Sequence, residues 1–207
     1  MRRGRPRTAD AAGRVIKPAA PQGQAITAAD CAWVFGYGSL MWHPGFPHDE
    51  VRVATLYGYH RRFCVYSQRY RGTPERPGLV LGLDKGGCCR GLAFHVPPGE
   101  REAAFAYLME REMLYSTYVP RTLPLSTKAG KLEALCFLVN REKPQYAGHL
   151  ALEEMVQIIL QGEGQRGPCS DYLANTVKHL EALGLGAGHL KDLLKRVETR
   201  CREMGRQ

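Results

Sequence analysis

The sequence predicts an α+β fold in which a small, largely antiparallel β-barrel carries helices packed around its outside. The first observation is that the strand-favouring residues Val51, Val53, Thr55 and Tyr57 recur with period two, which is typical of a half-buried strand. The second is that turn residues, and not helices, separate most strand-like runs, so consecutive strands are expected to pair antiparallel. The third is that three helix-like segments follow the last of these runs, where they are available to cover the barrel.

The turn and breaker residues divide the first two thirds of the chain into short strands. Asp-Lys-Gly-Gly at 84–87 predicts the turn of a hairpin. The Arg-, Pro- and Gly-rich stretch 69–78 predicts a surface loop, and Pro120 and Pro124 are expected to bracket another. The remaining strand-like runs are 33–35, 63–66, 79–83, 88–96 and 132–139.

Helical composition covers four further segments, namely 100–113, 149–161, 171–183 and 189–201. Ser170 is expected to cap the third helix, and Gly184 is expected to end it. The fourth helix has apolar residues at i, i+3, i+4 and i+7, which are Leu190, Leu193, Leu194 and Val197. This spacing predicts one buried face.

Length and composition indicate one soluble globular domain. The 207 residues, 44% hydrophobic and 24% charged, are enough for a substantial core. No run of about 18 apolar residues predicts a membrane span, so no membrane partner is expected. Seven cysteines without a C-x-x-C pair favour reduced thiols in a cytoplasmic protein over a disulfide framework or a zinc site.

The positive charge of the chain is concentrated in its first residues. The net charge is +9, and residues 1–29 carry six Lys and Arg residues against Asp10 alone. Few large apolar residues occur there, so 1–29 is predicted to be a disordered basic extension and 30–200 a single domain. An organellar transit peptide is the alternative for this segment. Because the electrostatic attraction of such a tail is non-specific, no specific nucleic-acid partner is predicted.

A strand that runs into two closely spaced glycines is the first candidate site. The stretch is Trp33-Val34-Phe35-Gly36-Tyr37-Gly38-Ser39-Leu40. Glycine permits both positive φ and close approach of the backbone, and successive N–H groups in such a turn bind anions. It is not a dinucleotide fingerprint, because the third glycine of that motif would fall at Met41. A small carboxylate or phosphate is therefore the expected ligand, with a plain turn as the alternative.

Glu112 interrupts the apolar face of the first long helix. Phe105, Leu108 and Met109 mark that face at i, i+3 and i+4, and the next position on it, i+7, is Glu112. Burial raises the pKa of a carboxyl group, and a carboxylate with a raised pKa is a competent general base near neutral pH. The alternative is that Glu112 points to solvent or pairs with Arg111 or Arg121.

Other chemistries have little support. The seven histidines show no H-x-x-x-H or H-E-x-x-H spacing, so no metal is predicted. Ser39 does not lie in a G-x-S-x-G motif, because Met41 takes the place of the second glycine. A group of aromatic residues is expected to pack on the sheet, with base stacking as the alternative: Tyr57, Tyr59, Phe63, Tyr66 and Tyr70.

An ordered set of motifs resembles the ChaC family of γ-glutamylcyclotransferases, which act on glutathione. The matching stretches are 34–42 (VFGYGSLMW), 59–64 (YHRRFC), 71–79 (RGTPERPGL), 91–94 (GLAF), 111–113 (REM), 118–120 (YVP), Gly167 and 171–173 (DYL). They span residues from about 32 to about 198. Met113-Leu114-Tyr115 stands where eukaryotic members have Gly-Gly-Tyr, which resembles the bacterial branch.

The resemblance implies a γ-glutamylcyclotransferase-like fold and a reaction without metal or cofactor. Glu112 would be the general base that lets the substrate's α-amine attack its own γ-carbonyl, giving 5-oxoproline and Cys-Gly. Tyr172 would orient the γ-glutamyl group, and Arg71 would meet the glycine carboxylate of glutathione. The implied substrate-binding residues are Val34, Phe35, Gly36, Tyr37, Gly38, Ser39, Leu40, Arg71 and Tyr172.

Two other functions remain open from the sequence. One is a cyclotransferase for other γ-glutamyl amines or amino acids. The other is a non-enzymatic binding module that uses the basic segment 1–29. The sequence makes no prediction of the oligomeric state.

Overall fold

A closed five-stranded barrel forms the centre of the computed structural model, which describes residues 25–113 and 117–205. The strands are β1 (Trp33–Gly36), β2 (Glu50–Ser67), β3 (Gly78–His95), β4 (Tyr118–Thr127) and β5 (Gly130–Val139), in the order β1-β3-β2-β4-β5. The pairs β1–β3, β2–β3, β2–β4 and β4–β5 are antiparallel, and short parallel pairings of β5 with β1 and β3 close the barrel. The predicted fold class is therefore confirmed.

Helices pack around this barrel, as the sequence predicts. They are α1 (Arg101–Glu112), α2 (Leu152–Gln161), α3 (Cys169–Ala182) and α4 (His189–Met204). A small hairpin of β6 (Glu163–Gly164) and β7 (Gly167–Pro168) lies between α2 and α3. Within the described residues, no helix is both long enough and apolar enough to cross a membrane.

The hairpin predicted around residues 84–87 is wrong, because β3 runs through them without reversing. Tyr57 pairs with Cys88 and Tyr59 pairs with Lys85, so β3 advances by three residues where β2 advances by two. The extra residue forms a β-bulge, which Gly86 (φ 103°) accommodates. The glycines thus bend a long strand and do not end it.

The loop predicted at Pro120 and Pro124 is also wrong, because both prolines lie within β4. They pair with Phe137 and Glu133 of β5. Strand β2 pairs with β4 only at its end, over residues 125–127, so the earlier part of β4 has an open edge on that side. An edge strand tolerates proline because the missing N–H there faces no partner strand.

The predicted helix ends agree in part with the structure. Helix α3 begins at Cys169 directly after β7, with Pro168 at the N-cap, so the predicted Ser170 cap is wrong and Ser170 lies in the first turn. The end of α3 is as predicted: Gly184 adopts φ 63° beyond the last helical residue. On α4, Leu190, Leu193 and Val197 are buried.

The core fills the barrel and the space beneath the helices. Phe35, Phe63 and Phe137 are among the largest fully buried side chains, and each contributes about 2 kcal/mol of hydrophobic free energy. Leu108 of α1 and Leu173 of α3 join the same buried cluster. All seven cysteines are free thiols, and five of them are buried.

The predicted boundary between extension and domain, at residues 29 and 30, falls inside a 3-10 helix at Ala28–Ala32. Ala28 is buried, and Ile26 packs against the core. Residues 1–24 of the predicted extension lie outside the described residues. So do residues 114–116, which contain Leu114, one of the two positions at which the chain departs from the eukaryotic family pattern.

Candidate active site

The glycine turn follows β1 and leads into a 3-10 helix at Ser39–Met41. Of the two properties that glycine permits, this turn does not use positive φ: Gly36 is not among the glycines with positive φ, and Gly38 has φ −135°. The glycines instead allow close approach. A Cβ on Gly36 would lie 2.9 Å from Phe94 Cε2, and one on Gly38 would lie 3.2 Å from the Tyr172 hydroxyl oxygen.

Most side chains of the turn point into the protein. Val34 and Phe35 are fully buried in the barrel, and Leu40 is buried beneath the turn. The Tyr37 hydroxyl donates a hydrogen bond to Phe137 O over 3.1 Å. Ser39 is the residue of this stretch that lines an open cleft.

The cleft lies where β1 and β2 end and where β3 and β4 begin. It offers about 800 Å³ of space, a volume that includes the solvent at its open mouth. Of the side chains predicted to act on substrate, those that line it are Ser39, Arg71, Glu112 and Tyr172. The structure therefore brings together residues that are up to 133 positions apart in the sequence.

Glu112 is the last residue of α1 and faces inward. Ala104 and Leu108, eight and four residues earlier on the same face, are buried. The Glu112 side chain is 16% exposed, and it lines the cleft. Burial raises the pKa of Glu112, and the nearby Arg111 and Arg166 cations only partly oppose this effect.

Arg111 ties the Glu112 carboxylate to the glycine turn, and the sequence analysis missed this role. Its Nε lies 3.1 Å from Glu112 Oε1, and its Nη2 donates to Ser39 Oγ over 2.8 Å. Nη1 donates to His43 O and to the Tyr107 hydroxyl, each over 2.8 Å. At the sequence level, an ion pair between Glu112 and Arg111 was the alternative to a functional role for Glu112. That ion pair is present, and it lies inside the cleft. The i, i+4 spacing of Tyr107 and Arg111 was the available signal.

Two tyrosines, Tyr118 and Tyr172, line the cleft, and the buried Tyr37 lies close enough to interact with both. Burial and the nearby Glu112 charge raise the pKa values of Tyr37, Tyr118 and Tyr172, so all three phenols are neutral donors. Tyr118 donates to Leu81 O over 2.9 Å. The Tyr172 ring packs edge-on against Phe63, with the ring centroids 5.8 Å apart. From the sequence, Tyr118 was only part of the matching stretch 118–120, and no role was predicted for it.

Arg71 lies beside Tyr172. Its Nη1 donates to Pro168 O over 3.0 Å, and its Cζ lies 5.6 Å from the centroid of the Tyr172 ring. Its backbone N–H donates to Ser67 Oγ over 3.0 Å, which fixes the start of the loop at the end of β2. Arg71 is thus a held cation next to the tyrosine that contacts the glycine turn.

Solved structures share this architecture. A crystal structure of a yeast γ-glutamyl cyclotransferase specific to glutathione matches with a TM-score of 0.74 and 21% identity, over 81% of this chain and 96% of that one. The fold of the chain is therefore that of the γ-glutamyl cyclotransferases.

Sequence comparison narrows the class to a family. A family model described as ChaC-like protein matches residues 32–200. The glutathione-specific γ-glutamylcyclotransferase of Escherichia coli (strain K12) is 34% identical, over 80% of this chain and 72% of the relative. Glutathione-specific γ-glutamylcyclotransferase 1 of Danio rerio is also 34% identical, over 68% and 74%. The chain belongs to the ChaC-like family.

Proposed function

We propose that this protein is a γ-glutamylcyclotransferase that cleaves glutathione into 5-oxoproline and cysteinylglycine, with Glu112 as the general base. The observation that carries the proposal is the Glu112 carboxylate, largely buried and with a raised pKa, in the cleft that the glycine turn borders. The names of the E. coli and zebrafish relatives support glutathione as the substrate.

The γ-glutamyl group binds at the glycine turn. The first N–H groups of a helix have no partner within it, so the start of the 3-10 helix at Ser39–Met41 presents donors to a carboxylate or to an amide oxygen. Tyr172 adds a neutral hydroxyl beside Gly38, and Arg71 adds a cation beside Tyr172. Val34, Phe35, Gly36, Tyr37 and Leu40 act through the shape and position of the turn.

Glu112 starts the reaction by removing a proton from the substrate's α-ammonium group. The pKa of an α-amino group is about 8, so the raised pKa of Glu112 narrows the gap for this transfer. The free amine attacks the γ-carbonyl of its own residue, and turn N–H groups stabilise the oxyanion. The attacking nitrogen loses its second proton as the five-membered ring closes and the amide C–N bond breaks. The amine of Cys-Gly leaves as an ammonium after gaining two protons, one of which Glu112 returns to it. Both reacting groups belong to one bound molecule, so proximity lowers the barrier without a protein nucleophile.

The seven free thiols favour a reducing compartment, and we propose the cytoplasm. A cyclotransferase for other γ-glutamyl amines or amino acids uses the same cleft and differs only in what the outer part of the cleft recognises. A binding module based on the basic segment would place its function in residues 1–24, outside the described part of the chain, and in 25–29.

Mass spectrometry after incubation with glutathione tests the proposal. We expect 5-oxoproline and Cys-Gly in equal amounts. Glu112→Gln keeps the shape of the side chain and removes the base, so kcat is expected to fall by at least about 100-fold. Glu110→Gln is the matched control, because Glu110 is exposed on the same helix and lies outside the cleft.

A Glu112→Gln variant that releases 5-oxoproline at the wild-type rate would contradict the mechanism. Equal turnover of glutathione and γ-glutamyl-alanine would contradict the proposed specificity for glutathione. It would favour a cyclotransferase that accepts other γ-glutamyl amines or amino acids. Deletion of residues 1–24 distinguishes the cyclotransferase from the binding module. A cyclotransferase is expected to keep its turnover without these residues, whereas a binding module would lose its function.

A further inference from the structure

The β6–β7 hairpin is fixed on the loop that follows β2. Gln165 N–H donates to Arg69 O, and Arg166 N–H donates to Tyr70 O, each over 2.9 Å. A Cβ on Gly164 would lie 2.5 Å from Arg69 O, so the two backbones are in direct contact. Because Gln165 and Arg166 form the tip of the hairpin, the backbone of Arg166 has a defined position at the mouth of the cleft.

Two guanidinium groups share one aromatic ring there. The Cζ atoms of Arg166 and Arg69 lie 4.3 Å and 5.5 Å from the centroid of the Tyr70 ring. Gln165 Oε1 accepts a hydrogen bond from Arg69 Nε over 3.1 Å, which orients the second cation. Cation–π attraction to Tyr70 favours both positions, although the two like charges repel each other.

The cleft carries an excess of positive charge. Arg69, Arg71, Arg111 and Arg166 line it, and Glu112 is its sole carboxylate among the described residues. Arg111 is paired with Glu112, and Arg71 is held by Pro168 O. Neither Arg69 nor Arg166 forms an ion pair with a carboxylate in residues 25–113 or 117–205. An anionic group of the ligand is therefore the expected partner of these two cations.

We propose that Arg69, Tyr70 and Arg166 form a subsite for the terminal carboxylate of the peptide that leaves in the reaction. The proposal rests on the proposed function and adds the feature that selects a γ-glutamyl dipeptide over a γ-glutamyl amine. Two extended residues span about 7 Å, which is the reach from the scissile bond to the glycine carboxylate. The Arg166 cation is close enough to Glu112 for its charge to lower the pKa of that carboxyl group.

This subsite differs from the one that the family resemblance implies. The resemblance assigns the glycine carboxylate to Arg71, but Arg71 is bound beside Tyr172, which we place at the γ-glutamyl end. Arg69 and Arg166 lie over Tyr70. The glycine carboxylate therefore belongs to Arg69 and Arg166, and Arg71 serves the γ-glutamyl end.

The test compares glutathione with glutathione amidated at its glycine carboxylate, using the full-length chain. In the wild type, KM for the amide is expected to be about fivefold higher, since an exposed charge pair contributes modestly. Arg166→Gln is expected to raise KM for glutathione by about the same factor and to make the KM values of the two substrates nearly equal. Arg69→Gln is expected to act in the same direction.

Arg76→Gln is the matched control, because it removes one exposed charge from the same loop and Arg76 does not line the cleft. Its ratio of KM values is expected to match the wild-type ratio. An undiminished preference for glutathione over its amide in Arg166→Gln would overturn the proposal. If the wild type released no 5-oxoproline, the proposed function would fail, and calorimetry with the same two peptides would still decide on the subsite: equal binding overturns it.

Discussion

Arg111 joins the two halves of the candidate site, because its guanidinium lies 3.1 Å from Glu112 Oε1 and 2.8 Å from Ser39 Oγ. The Arg111 side chain is only 6% exposed, and its Nη1 donates to His43 O and to the Tyr107 hydroxyl. A planar guanidinium held by several bonds fixes both Glu112 and Ser39 in place. We therefore expect Arg111 to position the base relative to the glycine turn.

Replacing Arg111 by glutamine is expected to shift the pH profile of kcat/KM. The Arg111 cation and its hydrogen bond hold down the pKa of Glu112 against the effect of burial, so their loss raises that pKa further. Glu112 must be deprotonated to act as a base, so the acid limb of the profile moves to higher pH. At pH 7 we expect a loss of about 10- to 100-fold in kcat/KM.

Two further variants separate positioning from folding. Ser39→Ala keeps the ion pair with Glu112, so its acid limb is expected to stay at the wild-type pH. Arg111→Lys keeps the positive charge, so its acid limb is expected to lie close to the wild-type pH. Its rate is expected to stay below that of the wild type, because a lysine ammonium cannot bond Glu112 and Ser39 with the planar geometry of a guanidinium. An Arg111→Gln enzyme with an unshifted acid limb would show that Arg111 does not act on Glu112.

A second buried carboxylate, Asp84 of β3, has a pKa that moves in the opposite direction. Asp84 is 1% exposed, and burial by itself would raise its pKa. Hydrogen bonds from Arg141 Nε (2.7 Å), the Tyr146 hydroxyl (2.9 Å) and Lys85 N–H (2.9 Å) outweigh burial and lower it. A carboxylate with so many donors stabilises the fold, whereas Glu112 retains a raised pKa suited to proton transfer.

Removing Asp84 is expected to cost about 3 kcal/mol of unfolding free energy at pH 7, because Asp84→Ala leaves Arg62 and Arg141 without their buried partner. The folded-state pKa of Asp84 is lowered, so its contribution is complete above the unfolded pKa of about 3.9 and disappears as the pH falls through the folded value. Urea unfolding measures this difference. Glu50→Ala, which breaks an exposed pair with Arg52, is the control and is expected to cost much less. A constant difference between pH 7 and pH 2 would contradict the assignment.

Glu112→Gln is expected to stabilise the protein at neutral and alkaline pH. The folded-state pKa of Glu112 is raised, so its ionisation disfavours the fold once the pH exceeds the unfolded value of about 4.3. The amide avoids that cost and still accepts a hydrogen bond from Arg111. Thermal melts at pH 8 should therefore show a higher Tm than the wild type, and the difference should vanish near pH 4. A lower Tm at pH 8 would mean that the ion pair with Arg111 outweighs burial.

The sequence predicted what depends on helical periodicity. Helix α4 and the inward position of Glu112 follow from apolar spacing that the structure reproduces. The period-two pattern over 51–57 predicted a strand, but its residues Val51, Val53 and Tyr57 are exposed, whereas Ala54 and Leu56 between them are buried. Glycine and proline were harder to interpret, because either residue can end an element or bend it. Gly86 relieves a bulge within β3, and Pro120 occupies an open edge of β4, and both outcomes depend on strands distant in the sequence.

The composition of the cleft was predictable only in part. Glu112 was identified because it breaks a pattern within one helix. For Arg111 the only local signal was its i, i+4 spacing from Tyr107, because its partners at Ser39 and His43 are about seventy residues earlier in the chain. Asp84 was interpreted as a turn residue, and only tertiary pairing with Arg141 and Tyr146 reveals its role.

The contact between Gly38 and Tyr172 makes a prediction in the glycine turn itself. A Cβ at position 38 would lie 3.2 Å from the Tyr172 hydroxyl oxygen, so Gly38→Ala displaces that hydroxyl by a few tenths of an ångström. If the hydroxyl orients the γ-glutamyl group, kcat/KM for glutathione falls by about tenfold. Gly99→Ala is the control, because a Cβ there meets nothing within 4 Å.

A double-mutant cycle shows whether the loss acts through Tyr172. Tyr172→Phe removes the hydroxyl that the new methyl group contacts and leaves the ring packed against Phe63. Gly38→Ala is therefore expected to cost much less in the Tyr172→Phe background than in the wild type, since the two changes act on one contact. Additive losses in kcat/KM would show instead that the methyl group disturbs the turn directly, and the Tyr172 hydroxyl would then have no part in orienting the substrate through Gly38.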